Sequence, residues 1–141
     1  TDSGYKFHMN NVNAAIGLEQ LKYVDDVVNK HIENAKYYYD NLNNQHVVPL
    51  TRSNESTSSC WIFTVRVKDR EKFKKHMNSC DVACDVVHYR NDLYSIFDEF
   101  RTDDLPGVEQ FCSEMINVPV GWWLTSDERA CVLDAMNSYV P

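Results

Sequence analysis

One feature limits the possible folds of this chain more than any other: apolar residues recur at Leu21, Val24, Val28, Ile32, Ala35, Tyr39 and Leu42, always three or four apart. That spacing is the signature of an amphipathic helix, and the pattern extends over about Asn11 to Asn43. At 1.5 Å per residue such a helix runs roughly 45 to 50 Å, longer than the diameter of a small domain, so one end must overhang. The overhanging part is Asn13-Ala14-Ala15-Ile16-Gly17-Leu18, whose small and apolar residues lie around much of the circumference, as in a helix packed on several sides. Its packing partners are expected outside this sequence; the alternative is a kink at Gly17 that folds the helix back on its own domain. The start Thr1-Asp2-Ser3-Gly4, with neither signal peptide nor initiator Met, reads as a cut end.

The rest of the chain alternates strands and helices. Val47-Val48 is a short strand candidate, and Thr51 to Ser59 is a polar loop. Trp61, Phe63, Val65 and Val67 fall on one face of a strand and Ile62, Thr64 and Arg66 on the other, which predicts that the first set is buried. Asp69 is placed to cap a helix over about Arg70 to Asn78 with Phe73 and Met77 inward. A second strand is expected around Cys84 to Tyr89, then a two-turn helix through Leu93, Ile96, Phe97 and Phe100. Pro106 suits the first turn of the next helix, which carries Val108, Phe111, Cys112 and Met115. A third strand is expected at Asn117 to Val120. Thr125-Ser126-Asp127-Glu128 is a capping-box pattern opening a last helix through Leu133 and Met136 to Tyr139. The sum is an α+β domain over 1–141, with three or four short strands covered by helices and one long helix projecting.

Composition excludes several functions. The net charge is -7, and basic residues are scattered among acidic ones, which argues against nucleic acid or an anionic membrane as partner. No run approaches the roughly 18 consecutive apolar residues of a membrane span. The five cysteines are odd in number and sit in apolar patterns, as reduced thiols of a cytoplasmic protein do. Cys80, Cys84 and His88 have a regular spacing, but on a strand the last two would be about 13 Å apart, too far to share an ion. No metal site is expected. A cysteine–histidine catalytic pair is open to His8, His31, His46, His76 and His88 alike, with nothing selecting one. Two segments carry more polar or aromatic character than packing needs: His88-Tyr89-Arg90-Asn91-Asp92, and Val118-Pro119-Val120-Gly121-Trp122-Trp123, where at least one Trp is expected in the core.

The opening Gly4-Tyr5-Lys6-Phe7-His8-Met9-Asn10-Asn11-Val12-Asn13-Ala14-Ala15-Ile16-Gly17, with Gln20-Leu21 after it, resembles the signature of the DegT/DnrJ/StrS sugar aminotransferases. The strand from Trp61 to Val67, the His88-Tyr89 pair and the Val118-Pro119-Val120 step fit in order, so the resemblance covers essentially the whole chain. The run from His88 to Ser95 and Gly121-Trp122-Trp123 resemble one branch of the family. The resemblance implies the small C-terminal domain of a fold-type-I enzyme dependent on pyridoxal phosphate. Such an enzyme moves an amino group from glutamate to a keto sugar linked to a nucleotide and acts as a cytoplasmic homodimer.

It further implies that Lys6, His8 and Asn10 approach the cofactor phosphate of the neighbouring subunit, His8 standing where the family usually has Arg or Asn. His88, Tyr89 and Arg90 are implied at the sugar-nucleotide site. The Schiff-base lysine and the acidic residue that meets the pyridine nitrogen lie upstream in family members and are absent here. Lys22, Lys30, Lys36, Lys72, Lys74 and Lys75 sit on polar helix faces, where an amine stays protonated. The chain alone is therefore expected to hold no catalytic residue and to bind no cofactor. The competing expectation is a free-standing, non-catalytic binding or assembly module on the same fold; a weaker one is an unrelated cysteine or metal enzyme.

Overall fold

The computed structural model describes residues 8–51, 53, 55–102 and 104–141. Lys6 and the rest of the opening motif up to Phe7 lie outside the described residues. Asn10 caps the first helix, α1 (Asn11–Gln20), by accepting from the Asn13 N–H at 2.8 Å. A 3-10 turn at Leu21–Tyr23 joins it to α2 (Val24–Asn41). The predicted long helix is thus present but interrupted, and the break falls at Leu21–Tyr23 instead of Gly17. No residue of α1 is buried.

Beyond α2 come β1 (Val48–Pro49), β2 (Phe63–Arg66), α3 (Arg70–Ser79), α4 (Pro106–Glu114), β3 (Met115–Val118) and α5 (Ser126–Ser138), with 3-10 turns at Asn91–Leu93 and Ser95–Phe100. The strands form one antiparallel sheet in the order β1-β2-β3. Val48 lies opposite Arg66, and Phe63, Thr64, Val65 and Arg66 face Val118, Asn117, Ile116 and Met115. A single core joins the sheet to α2, α3 and α5 through Tyr38, Phe63, Val65, Phe73, Met77, Ile116, Met136 and Tyr139.

Local signals account for most of these elements. Asp69 accepts from the Lys72 N–H at 2.9 Å and so starts α3. Pro106 occupies the first turn of α4, where its missing N–H costs nothing. Thr125 and Glu128 exchange the expected capping-box bonds. Helix α3 ends in a Schellman motif: Val82 N–H reaches Met77 O and Asp81 N–H reaches Asn78 O, with Asp81 in the left-handed region at φ 58°.

Four expectations need correction. Residues Cys84 to Tyr89 form no strand, only a bridge between Asp85 and Asn117; the Asn117 amide turns onto Asp85 O at 3.3 Å and the ladder goes no further. Trp61 is 58% exposed because Cys60, at φ 51°, bends the chain before the strand starts. Leu93 to Phe100 form exposed 3-10 turns instead of an α-helix. Helix α2 presents His31, Asn34, Ala35 and Tyr38 to the core, while Leu21, Val24, Ile32 and Tyr39 stay exposed. Burying His31 and Asn34 is tolerable because both are hydrogen-bonded, to Cys60 O at 3.3 Å and to the carbonyls of Val120 and Gly121.

Candidate functional site

Of the two segments singled out by sequence, the second lines a groove of about 480 Å³, whereas no residue of His88 to Asp92 does. Val118 to Gly121 line it, Trp61 and Trp123 flank it, and Val87 belongs to it as the neighbour of His88. His88 stacks edge to face on Trp61, with ring centroids 5.8 Å apart. Trp123 makes a similar contact with His31 at 6.2 Å and with Trp122 at 6.3 Å. Contrary to expectation, neither Trp122 nor Trp123 is in the core: they are 54% and 64% exposed. Trp122 instead lines a second groove, of about 460 Å³, with Tyr23, Asp26, Val27 and Lys30 of the α2 region.

A clamp fixes the loop that carries these tryptophans. Asn34 Nδ2 donates to Gly121 O at 2.9 Å and to Val120 O at 3.2 Å, and Tyr38 Oη donates to Pro119 O at 2.9 Å. Burial holds the Tyr38 hydroxyl far above the usual tyrosine range, so it stays a donor at any physiological pH. Arg129 donates to Asn34 Oδ1 at 3.3 Å while its guanidinium lies 4.2 Å from the centre of the Tyr37 ring. Three consecutive carbonyls are thus held by two side chains of α2, and the exposed rings follow from a rigid base.

The polar end of the groove is an ion pair. Lys74 Nζ lies 3.0 Å from Asp85 Oδ1; their hydrogen bond raises the lysine's pKa and holds the carboxyl below its usual range. Cys84, next to it, is buried, which pushes its thiol up to about 11 and leaves it protonated. Among the described residues no three His, Cys, Asp or Glu side chains converge as metal ligands would.

The site residues named from sequence fall in two places. His88 and Tyr89 are exposed, Tyr89 at 69%. Arg90 turns inward: its Nε and Nη2 bind both oxygens of Asp92 at 3.0 and 2.6 Å, and Glu109 stands 3.7 Å away. That bidentate bond holds the Asp92 carboxyl below the usual range. Arg101 Nε adds a bond to Asp92 O at 2.8 Å. His8 and Asn10 stand at the outer end of α1 and do not line the groove. Both are exposed; Asn10 spends its side-chain oxygen on the helix cap, and its amide nitrogen has no partner among the described residues. Sequence reasoning missed Trp61, Asn34 and the Lys74–Asp85 pair.

The lysines bear on any cofactor. Lys22, Lys30, Lys36 and Lys74 each bind a carboxylate, Glu19, Glu33, Asp40 and Asp85 respectively. For Lys74 that bond stabilises the charged form, which is not a nucleophile.

Comparison with known proteins gives a consistent result. The sequence pattern of the DegT/DnrJ/EryC1/StrS aminotransferase family matches residues 1–137. The dTDP-3-amino-3,6-dideoxy-alpha-D-galactopyranose transaminase of Aneurinibacillus thermoaerophilus is 27% identical over 96% of this chain and 38% of its own length. Among solved structures, AtS13 from Actinomadura melliaura superposes with a TM-score of 0.88 at 36% identity, over 99% of this chain and 37% of that one. The sugar aminotransferase CalS13 from Micromonospora echinospora gives 0.88 at 34% identity, over 96% and 37%. The chain therefore spans little more than a third of the length of the relatives it matches.

Proposed function

Because this chain belongs to the DegT/DnrJ/EryC1/StrS aminotransferase family, we propose that it is the C-terminal small domain, residues 1–141, of an enzyme dependent on pyridoxal phosphate. That enzyme transfers an amino group, with glutamate as donor, to a keto sugar carried on a nucleotide. The observation that carries the reading is coverage: nearly the whole chain aligns with sugar transaminases, yet with only about 38% of their length. The parent enzyme is a cytoplasmic homodimer. No helix among the described residues is long and apolar enough to cross a membrane.

The donor set here suits the cofactor's phosphate and not its covalent attachment. The Asn10 amide and the His8 imidazole are exposed donors at the tip of α1, and Lys6 precedes them in the motif; together they receive the phosphate at the neighbouring subunit. The bound cofactor supplies an electron sink for moving the amino group, and the lysine that holds it belongs to the part of the enzyme outside this chain. Residues 1–141 alone are therefore inactive.

Toward substrate, the chain contributes the groove between Trp61 and Trp123. Indole faces offer stacking area for a planar base or the apolar face of a sugar ring. His88, braced on Trp61, and Tyr89 supply hydrogen bonds to sugar or phosphate oxygens. Arg90 reaches a substrate phosphate only by exchanging it for the Asp92 carboxylate, so in the free state it mainly sets the shape of the loop.

The test is to express the full-length coding frame that contains these residues and to assay amino transfer from glutamate to nucleotide-linked keto sugars. Bound cofactor is read by its visible absorbance. Transfer with the full-length protein, and neither absorbance nor activity with residues 1–141, supports the proposal. A frame that holds no cofactor lysine upstream, with a soluble product that binds no cofactor, would leave a non-catalytic assembly module on the same fold.

A further inference from the structure

Helices α3 and α5 run antiparallel over the core, and two contacts fix their register. The Phe73 and Tyr139 rings meet edge to face with centroids 5.0 Å apart. His76 Nε2 donates to Ala135 O at 2.9 Å. One helical turn further along α3 from His76 stands Cys80, and one turn back along α5 from Ala135 stands Cys131, so helical spacing pairs the two in the register that these contacts set.

Further observations distinguish this pair from the other cysteines. Both thiols are free and exposed, whereas Cys60 and Cys84 are buried and Cys112 is half-buried. Both line one groove of about 400 Å³, with Val82, Pro119 and Leu124. Cys80 is the C-cap of α3, with its N–H on His76 O and Met77 O, and it stands directly before the left-handed turn at Asp81 that ends the helix.

We propose that Cys80 and Cys131 form a cooperating dithiol that a low-molecular-weight disulfide of the glutathione type closes to a cross-helix bridge. One cysteine loses its proton and its thiolate attacks a sulfur of the small disulfide; a mixed disulfide forms and one small thiolate leaves. The second cysteine, deprotonated in turn, attacks the protein sulfur of that bond and expels the second small thiolate. The two protein sulfurs are oxidised, the small disulfide is reduced to two thiols, and the two protons released by the protein end on them. The bridge would bind the end of α3 to the start of α5 beside Pro119 and Leu124, the two ends of the segment that carries Trp122 and Trp123.

The experiment exposes the full-length native protein to excess oxidised glutathione and reads intact mass, then non-reduced peptide maps. The expected product has lost two hydrogens, links the Cys80 and Cys131 peptides, and reverts with dithiothreitol. In Cys80→Ser and in Cys131→Ser, both conservative changes at exposed positions, the remaining thiol should accumulate as a mixed disulfide with glutathione. Cys112→Ser should behave as the unaltered protein does. Stable glutathione adducts on Cys80 and Cys131 together without a linked peptide would overturn the pairing. So would no reaction at either thiol, or a bridge seen only after denaturant is added.

Discussion

Removing the Asn34 side chain should cost far more than its position on a helix suggests. Asn34 is 1% exposed and makes three hydrogen bonds: two donated to the carbonyls of Val120 and Gly121, one accepted from Arg129. A typical intramolecular bond is worth about 1 kcal/mol net, and a buried group left without its partner costs about 1–3 kcal/mol. Arg129 Nε is already buried without a partner, so Arg129 has little reserve. Asn34→Ala should therefore destabilise by roughly 2–4 kcal/mol, a large part of the ~5–15 kcal/mol that holds a domain together. Urea unfolding should show a lower midpoint with an unchanged slope, and the tryptophan emission should shift before the main transition as the 120–124 loop loosens. Asn34→Asp separates the contributions. It keeps the acceptor for Arg129 and adds a favourable charge, but it faces two carbonyl oxygens with a carboxylate. If the carbonyl clamp dominates, it should cost at least as much as the alanine. A loss under about 1 kcal/mol for Asn34→Ala, or a neutral Asn34→Asp, would refute the reasoning.

Four other changes test separate parts of the structure. Asp81→Gly should stabilise by about 0.5–1 kcal/mol, because the left-handed conformation costs an L-residue and glycine's larger unfolded-state entropy takes back part of the gain; urea midpoints measure it. Thr125→Ala should cost ~1 kcal/mol by loss of the cap and weaken, without abolishing, the depressed titration of Glu128, because the backbone N–H of residue 125, its largest cause, remains; carbon NMR of the carboxyl would follow it. Gly121→Ala puts a methyl group into the Trp123 ring, so that ring must swing away and its fluorescence should change with little loss of helix content. Asp85, Asp92 and Glu128 all titrate below their usual range when folded, so the stability they add is complete above the unfolded carboxyl value and is lost as pH falls through the folded one. Asp92→Asn should flatten that acid limb in a pH series of thermal midpoints; an unaltered limb would assign it to other carboxylates.

Helix ends were the most legible part of this fold. Asp69, Pro106 and the Thr125/Glu128 pair act on their own neighbouring amides, so their effect is written within four residues. The buried face of α2 was not legible for the opposite reason. His31 and Asn34 look like solvent residues until the carbonyls of Cys60, Val120 and Gly121 come into place from distant sequence. The alternation from Trp61 to Val67 correctly gave the face of β2 but not its start, which the left-handed Cys60 decides. Of the candidate site, only 118–121 and Trp123 among the residues conspicuous in sequence line the groove; from the other segment His88 reaches it through its contact with Trp61. Trp61, read as core, turned out to be the wall between them.

The 3-10 turn at Leu21–Tyr23 has a rotational consequence. Its residues advance by about 120° each where α-helical residues advance by about 100°, so three of them put α1 roughly 60° out of phase with an unbroken continuation of α2. A side of α1 in line with the sheet-facing side of α2 in an uninterrupted rod instead points elsewhere. The chain can therefore address two differently oriented surfaces along what reads in sequence as one stripe, with a single short turn setting the angle between them.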